Sequence, residues 1–224
     1  METAPIDLAR DAMSPHLALW TRVDVTDPPP EVRPWLARAV AAGSAVDLHR
    51  RFVARFDGPQ HADGARAARY LAALDLVRAA ADRGEALTVD ALARVQGVVL
   101  GLPDDAPLRR TDAFARGGAH RYPMVPGFDA LVRARFDAWE GATVDPVVTA
   151  CGRYLDVIFL HPFEDGNARA ARLALEWALR RAGRPTPRLE DLVALRKEPG
   201  DARSFWRMVR VCAGLVARAA TEAA

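Results

Sequence analysis

The stretch His161-Pro-Phe-Glu-Asp-Gly-Asn-Ala-Arg-Ala-Ala-Arg172 decides how the rest of the chain is read. It follows a mostly apolar segment, 145–160, whose apolar residues at 147, 148, 151, 154, 155 and 158 recur at helical spacing. Pro146 suits a first helical turn, with Asp145 or a neighbour as its cap. Pro162 lacks an amide hydrogen and disfavours helix in the residue before it, so the helix ends at about His161. An imidazole therefore sits at the mouth of a loop. Gly166 admits backbone angles that other residues avoid, and Asn167 can cap the next helix with its side chain. That helix, from Ala168 to about Arg181, carries Leu173, Leu175, Trp177 and Leu179.

The first amides of such a helix lack partners and hold the positive end of its dipole, so a start opened by a glycine turn is an anion site. Arg169 and Arg172 are three apart, share a face near that end, and can fork onto phosphate oxygens. Asp165 offers a hard oxygen that can hold Mg²⁺ against the same phosphates. Histidine titrates near neutrality and suits proton transfer there. Singly, each residue has an ordinary structural role, a cap or a solvated helix charge. Kept at this spacing, they describe one site.

The segment resembles the signature of the Fic family, His-x-Phe-x-Asp/Glu-Gly-Asn-Gly-Arg-x-x-Arg, and departs from it at one specified position, Ala168 in place of glycine. The resemblance extends over about residues 62–215 and implies an all-α fold, a helical bundle with a small β-hairpin flap. It also implies an enzyme that moves the AMP part of ATP onto a hydroxyl side chain of a target protein. By position, His161 matches the general base, Phe163 the apolar anchor of the loop and Asp165 the Mg²⁺ ligand. Gly166, Asn167 and Ala168 match the anion cradle, and Arg169 and Arg172 the arginines on the distal phosphates. Glu164 and Ala170 fall at variable positions and read as solvent or spacer residues. Ala168 keeps other readings open. The related Doc proteins usually carry lysine there, bind ATP in the reverse sense and transfer phosphate. A transferase acting on a small molecule and an inactive nucleotide-binding or toxin–antitoxin interaction protein are the further alternatives.

Residues 110–123 hold two short runs around Gly117-Gly118, the composition of a hairpin turn. The family's flap lies at this place, and its edge pairs with an extended target segment by strand addition. Phe114, Arg116, Gly117, Gly118 and His120 are the flap residues so implied. An ordinary surface loop is the plainer reading, since alternation is poor and Arg116, His120 and Arg121 favour solvent.

The remaining pattern is helical. Helices are expected at about 31–56, 64–83, 88–100, 129–140, 189–196 and from 201 to the end, with residues 1–26 a short helix plus linker before Asp27-Pro-Pro-Pro30. Residues 1–61 read as an N-terminal helical extension and 62–224 as the catalytic domain. At 224 residues, with 50% hydrophobic content, the chain is long enough to bury a good core. A net charge of +2 implies no strong nucleic-acid or membrane field. Cys151 and Cys212 fall in apolar helical patterns without metal spacing and read as buried thiols of a reducing cytoplasm. No signal peptide or membrane-spanning apolar run is apparent.

Many Fic proteins restrain themselves with a helix of pattern Ser/Thr-x-x-x-Glu-Gly/Asn, whose glutamate pairs with the second arginine. Thr186-Pro-Arg-Leu-Glu190-Asp191 keeps only its first two elements and reads as an ordinary helix start. The expectation is that a separate antitoxin-like partner supplies the glutamate, or that no such restraint operates.

Overall fold

The structure, a computed structural model, describes residues 26–39, 47–57, 64–115, 117–118 and 120–221. Within these residues the chain forms helices α1 (Arg33–Arg38), α2 (Leu48–Phe56), α3 (Ala65–Asp82) and α4 (Val89–Leu100), then strands β1 (Ala113–Ala115) and β2 (His120–Tyr122). Helices α5 (Phe128–Glu140), α6 (Pro146–Leu160), α7 (Asn167–Arg181), α8 (Leu189–Ala194) and α9 (Ala202–Thr221) follow. The all-α architecture with one small hairpin agrees with the sequence reading. The helix expected over 31–56 is divided, because α1 ends at Ala39 and the Asp47 carboxylate caps a new start by accepting from the Arg50 amide at 3.0 Å. The short helix expected within residues 1–26 lies outside the described residues.

The centre of the molecule is the antiparallel pair α6 and α7, joined by the signature loop. Pro146 opens α6 and the Asp145 carboxylate accepts from the Val147 amide at 2.8 Å. Nearly every α6 side chain is buried, as is most of α7, including Leu173, Leu175, Trp177 and Leu179. A helix buried all round stays in place through packing rather than through one amphipathic face. Helix α3 packs on α7 and α4, α5 covers α6, and α9 lies against α6 and α1. Cys151 on α6 and Cys212 on α9 are both buried and free of disulfide.

Close approach of α5 to α6 depends on Gly152, since a Cβ there would lie 2.0 Å from the Trp139 ring. The Trp139 indole then reaches over it to donate to Asp156 at 2.6 Å. Helix α4 is capped by Thr88, which accepts from the Ala91 amide at 3.1 Å, and ends at Gly101 in the left-handed conformation. The strands pair antiparallel with Ala113 opposite Tyr122, Phe114 opposite Arg121 and Ala115 opposite His120. No described helix is long and apolar enough to cross a membrane.

Candidate active site

His161 takes the C-cap of α6 at φ 51°, the one non-glycine residue of positive φ among those described. Such a conformation costs about 1–2 kcal/mol and needs support. Several contacts supply it. Its amide donates to Val157 O at 3.1 Å, and Nδ1 lies 3.0 Å from the Ile158 carbonyl. The imidazole stacks on Tyr122 of β2, with centroids 3.7 Å apart and planes 13° from parallel. A carbonyl only accepts, so Nδ1 carries the proton and Nε2 keeps the lone pair. Burial holds the His161 pKa below the ordinary histidine value, and the Arg109 charge adds to this against the opposing Ile158 bond. The imidazole is therefore a neutral base at pH 7.

Arg109 is the unanticipated centre of this arrangement. Its fully buried guanidinium donates to His161 O at 2.7 Å, Leu160 O at 3.3 Å, Thr111 O at 2.5 Å and Pro123 O at 3.1 Å. It also lies 4.4 Å from the centre of the Phe128 ring, and its amide donates to Pro162 O at 2.9 Å. One cation thus ties both stems of the hairpin to the histidine loop. Glu164, expected in solvent, is exposed and also accepts from the Arg110 amide at 3.3 Å.

The loop is closed by Phe163 and Asn167. Phe163 is buried, and its amide and carbonyl bond the Asn167 side chain at 2.9 and 2.7 Å. This corrects the expected cap. Gly166 is the N-cap of α7 at φ 73°, and the Asn167 amide group reaches back to fix the loop. Ala170, read as a spacer, is fully buried in the core. Gln96 was missed. It donates to the Asp165 carbonyl at 2.7 Å, and a Cβ on Gly166 would come within 2.5 Å of it. Ala168 is exposed in the first turn of α7.

The two signature arginines are buried side by side. Arg169 sits 3.6 Å from the Asp165 carboxylate and 3.4 Å from Val99 O. Burial, and then the charge of Arg66, lower its pKa. Arg172 donates from Nε to the Tyr70 hydroxyl at 2.9 Å and lies over the rings of Phe52 and Tyr70, 4.9 and 5.5 Å from their centres. Its Nη2 is 3.7 Å from Asp57, whose buried Oδ2 accepts no hydrogen bond. Arg66 is 3.5 Å from the other oxygen of the same carboxylate. Clustered guanidinium groups thus share few carboxylates, and those pairs are long. Such a site favours an entering polyanion.

Val53-Ala-Arg-Phe-Asp57-Gly58 lacks the hydroxyl of the pattern Ser/Thr-x-x-x-Glu-Gly/Asn and carries a shorter acid. The fold nevertheless puts that carboxylate, at the C-cap of α2, beside the second arginine. Thr186 instead donates to Glu176, and the short helix after it opens at Leu189.

The Asp165 side chain is 82% exposed. No group of three or more His, Cys, Asp or Glu that could hold a metal ion occurs among the described residues. A single accessible carboxylate fits Mg²⁺, which keeps waters and phosphate oxygens as its other ligands. On the hairpin, Phe114 is 61% exposed and His120 is exposed, while Gly117 and Gly118 both have positive φ. Arg116 lies outside the described residues.

Residues 86–179 match the family model described as the Fic/DOC family. A protein adenylyltransferase Fic of Culex quinquefasciatus is 29% identical over 146 residues, 58% of this chain and 28% of that protein. Its counterpart in Drosophila melanogaster is 30% identical over 141 residues, 56% of this chain and 28% of that protein. The chain thus matches little more than a quarter of the length of these curated relatives. Among solved structures, a Fic domain containing signaling protein of Bacteroides thetaiotaomicron shares the fold with a TM-score of 0.58 at 17% identity, covering 92% of each chain. The IbpAFic2 structure covalently tethered to Cdc42 gives a TM-score of 0.58 at 16% identity, over 88% of this chain and 73% of that one. Residues 86–179, from just before α4 to near the end of α7, thus match the Fic/DOC family model, and the fold is shared with a Fic domain structure beyond them.

Proposed function

We propose that this chain transfers the AMP part of ATP to a hydroxyl side chain of a target protein. The observation that carries the reading is the pairing, within one loop, of a neutral histidine whose Nε2 keeps its lone pair with two buried arginines at the start of a helix. The target hydroxyl loses its proton to His161 Nε2 as its oxygen bonds the α-phosphorus. The bond to the bridging oxygen breaks, and pyrophosphate leaves into the arginine site. Arg169 and Arg172 hold the distal phosphates and stabilise the charge that develops there. Phe163 and Asn167 keep the loop in register, so positioning supplies much of the rate. Asp165 would hold Mg²⁺, which neutralises phosphate charge. Names of the relatives support the chemistry, and the Cdc42-bound structures support a protein acceptor.

The hairpin is the place where an extended target segment adds as a strand, with the exposed Phe114 beside it. Its base is tied to His161 through Arg109 and Tyr122, so a segment docked there is registered against the base. Asp57 occupies the arginine site in the absence of nucleotide and yields to phosphate. An antitoxin-like partner would then act in addition to this internal carboxylate. The buried free thiols fit a reducing cytoplasm.

The test is incubation of a protein mixture with ATP and Mg²⁺ followed by mass spectrometry. The parent chain should add an adenylyl group to hydroxyl residues, and His161→Ala should add none while still binding nucleotide. Equal transfer by the two proteins refutes the role of His161.

A further inference from the structure

Arg172 is one end of a buried hydrogen-bonded chain that none of the steps above uses. From Arg172 Nε the bond runs to the Tyr70 hydroxyl at 2.9 Å, from Tyr70 to His49 Nε2 at 3.0 Å, and from His49 Nδ1 to Glu176 Oε2 at 3.1 Å. Tyr70, His49 and Glu176 are all essentially inaccessible. Glu176 lies one turn below Arg172 on α7, so the chain closes a ring through α7, α3 and α2.

The chemistry of the ends sets the direction of the two end bonds. Arginine only donates. The Glu176 carboxyl is held down at about 2 even though burial opposes this, because His49, Arg78 and Thr186 bond or face it, so it only accepts. Therefore Tyr70 accepts from Arg172, His49 donates from Nδ1 to Glu176, and Tyr70 and His49 Nε2 share the bond between them. The two end bonds have one possible direction each, because arginine cannot accept and the carboxylate cannot donate. Arg78 fastens the far end, with Nε on Glu176 at 2.7 Å and Nη2 on Asp47 at 2.8 Å.

We infer that Tyr70, His49 and Glu176 are positioning residues that fix which edge of the Arg172 guanidinium faces the phosphate site. With Nε–H committed to Tyr70 and the plane held against the Phe52 and Tyr70 rings, the Nη groups are left on the side of Asp57, where phosphate would enter. A guanidinium free to turn about its stem would spend affinity on being ordered. The inference rests on the nucleotide reading for its effect on binding, but the orientation of Arg172 is a property of the protein alone.

Two measurements separate these. Arginine Nε–H signals in ¹⁵N spectra of the protein without nucleotide should show Arg172 protected from solvent exchange. Tyr70→Phe and His49→Leu should lose that protection, whereas His49→Gln, which can still accept from Tyr70 and donate to Glu176, should keep it. Calorimetry should then show ATP affinity falling about ten- to hundredfold in Tyr70→Phe and His49→Leu, the range of a lost hydrogen bond to a charged group. AMP affinity should be unchanged, and His49→Gln should bind ATP as the parent does. Unaltered Arg172 protection in Tyr70→Phe overturns the inference, as does an equal loss of ATP and AMP affinity, which marks a general folding defect. If the parent itself binds no ATP, the nucleotide reading fails, and the exchange measurement decides the role of the chain by itself.

Discussion

The imidazole of His161 lies flat on the ring of Tyr122, centroids 3.7 Å apart, so the proposed base and the end of the hairpin are one stacked unit. Burial is the main cause of the lowered histidine pKa. A base works when deprotonated, so activity should rise with pH through the His161 pKa, below the ordinary histidine value, and stay level above it. In Tyr122→Ala water reaches the ring, the pKa returns upward and the rise moves to higher pH, with a lower plateau. Tyr122→Phe retains the stack and should keep the parental profile. Profiles of kcat/KM for the three proteins check this, and coincident acid limbs would detach Tyr122 from the base.

Asp57→Ala removes the carboxylate lying between Arg66 and Arg172. Without nucleotide it should lower Tm, because the buried Arg172 and the half-buried Arg66 lose their counter-charge. ATP should bind more tightly, about tenfold, the equivalent of ~1.4 kcal/mol. The rise in Tm on adding ATP should grow accordingly. Calorimetry with unchanged ATP affinity would show that Asp57 does not compete for the site.

Asp165→Ala should weaken nucleotide binding in the presence of Mg²⁺ and leave binding in its absence nearly unaltered. Asp165 is exposed and packs into no core, so Tm should hold. Equal affinities with Mg²⁺ would move the metal to another ligand, Glu164 first.

Gly166→Ala places a Cβ at φ 73°, 2.5 Å from Gln96 Nε2 and 3.2 Å from the Arg169 guanidinium. Backbone strain alone costs about 1–2 kcal/mol, or several degrees of Tm. Displacement of Gln96 and Arg169 should also weaken ATP binding. A thermal melt and a titration of the same sample test both, and parental values in both would show that the loop accommodates the methyl group.

Local physics made much of the fold legible. Pro146, Pro162, Gly101 and Gly166 mark helix ends that the structure places within a residue or two, and α6 and α7 follow their apolar spacing. The site was legible where it is local, from His161 to Arg172. Residues distant in sequence were not: Arg109, Tyr122, Gln96 and Tyr70 reach the site only through packing. Arg109 shows why. It is followed by Arg110, and nothing in that pair says that the first is wholly buried on backbone carbonyls while the second is exposed. Asp57 offered a faint signal, an acid before glycine at the end of an amphipathic segment, but its meaning lies in its distance from Arg172. Asn167 was placed correctly and given the wrong bond, because a side chain that can cap a helix can equally turn back to the loop.

The most direct test of the central claim is ATP labelled separately at the α and γ positions, supplied with target protein to the parent and to Ala168→Gly. Ala168 is exposed at the mouth of the site, so its methyl group should leave nucleotide binding and the transferred group unchanged. The account predicts that label reaches protein from the α position in both proteins, at similar rates, and never from the γ position alone. Label arriving only from the γ position would contradict it and establish phosphate transfer instead.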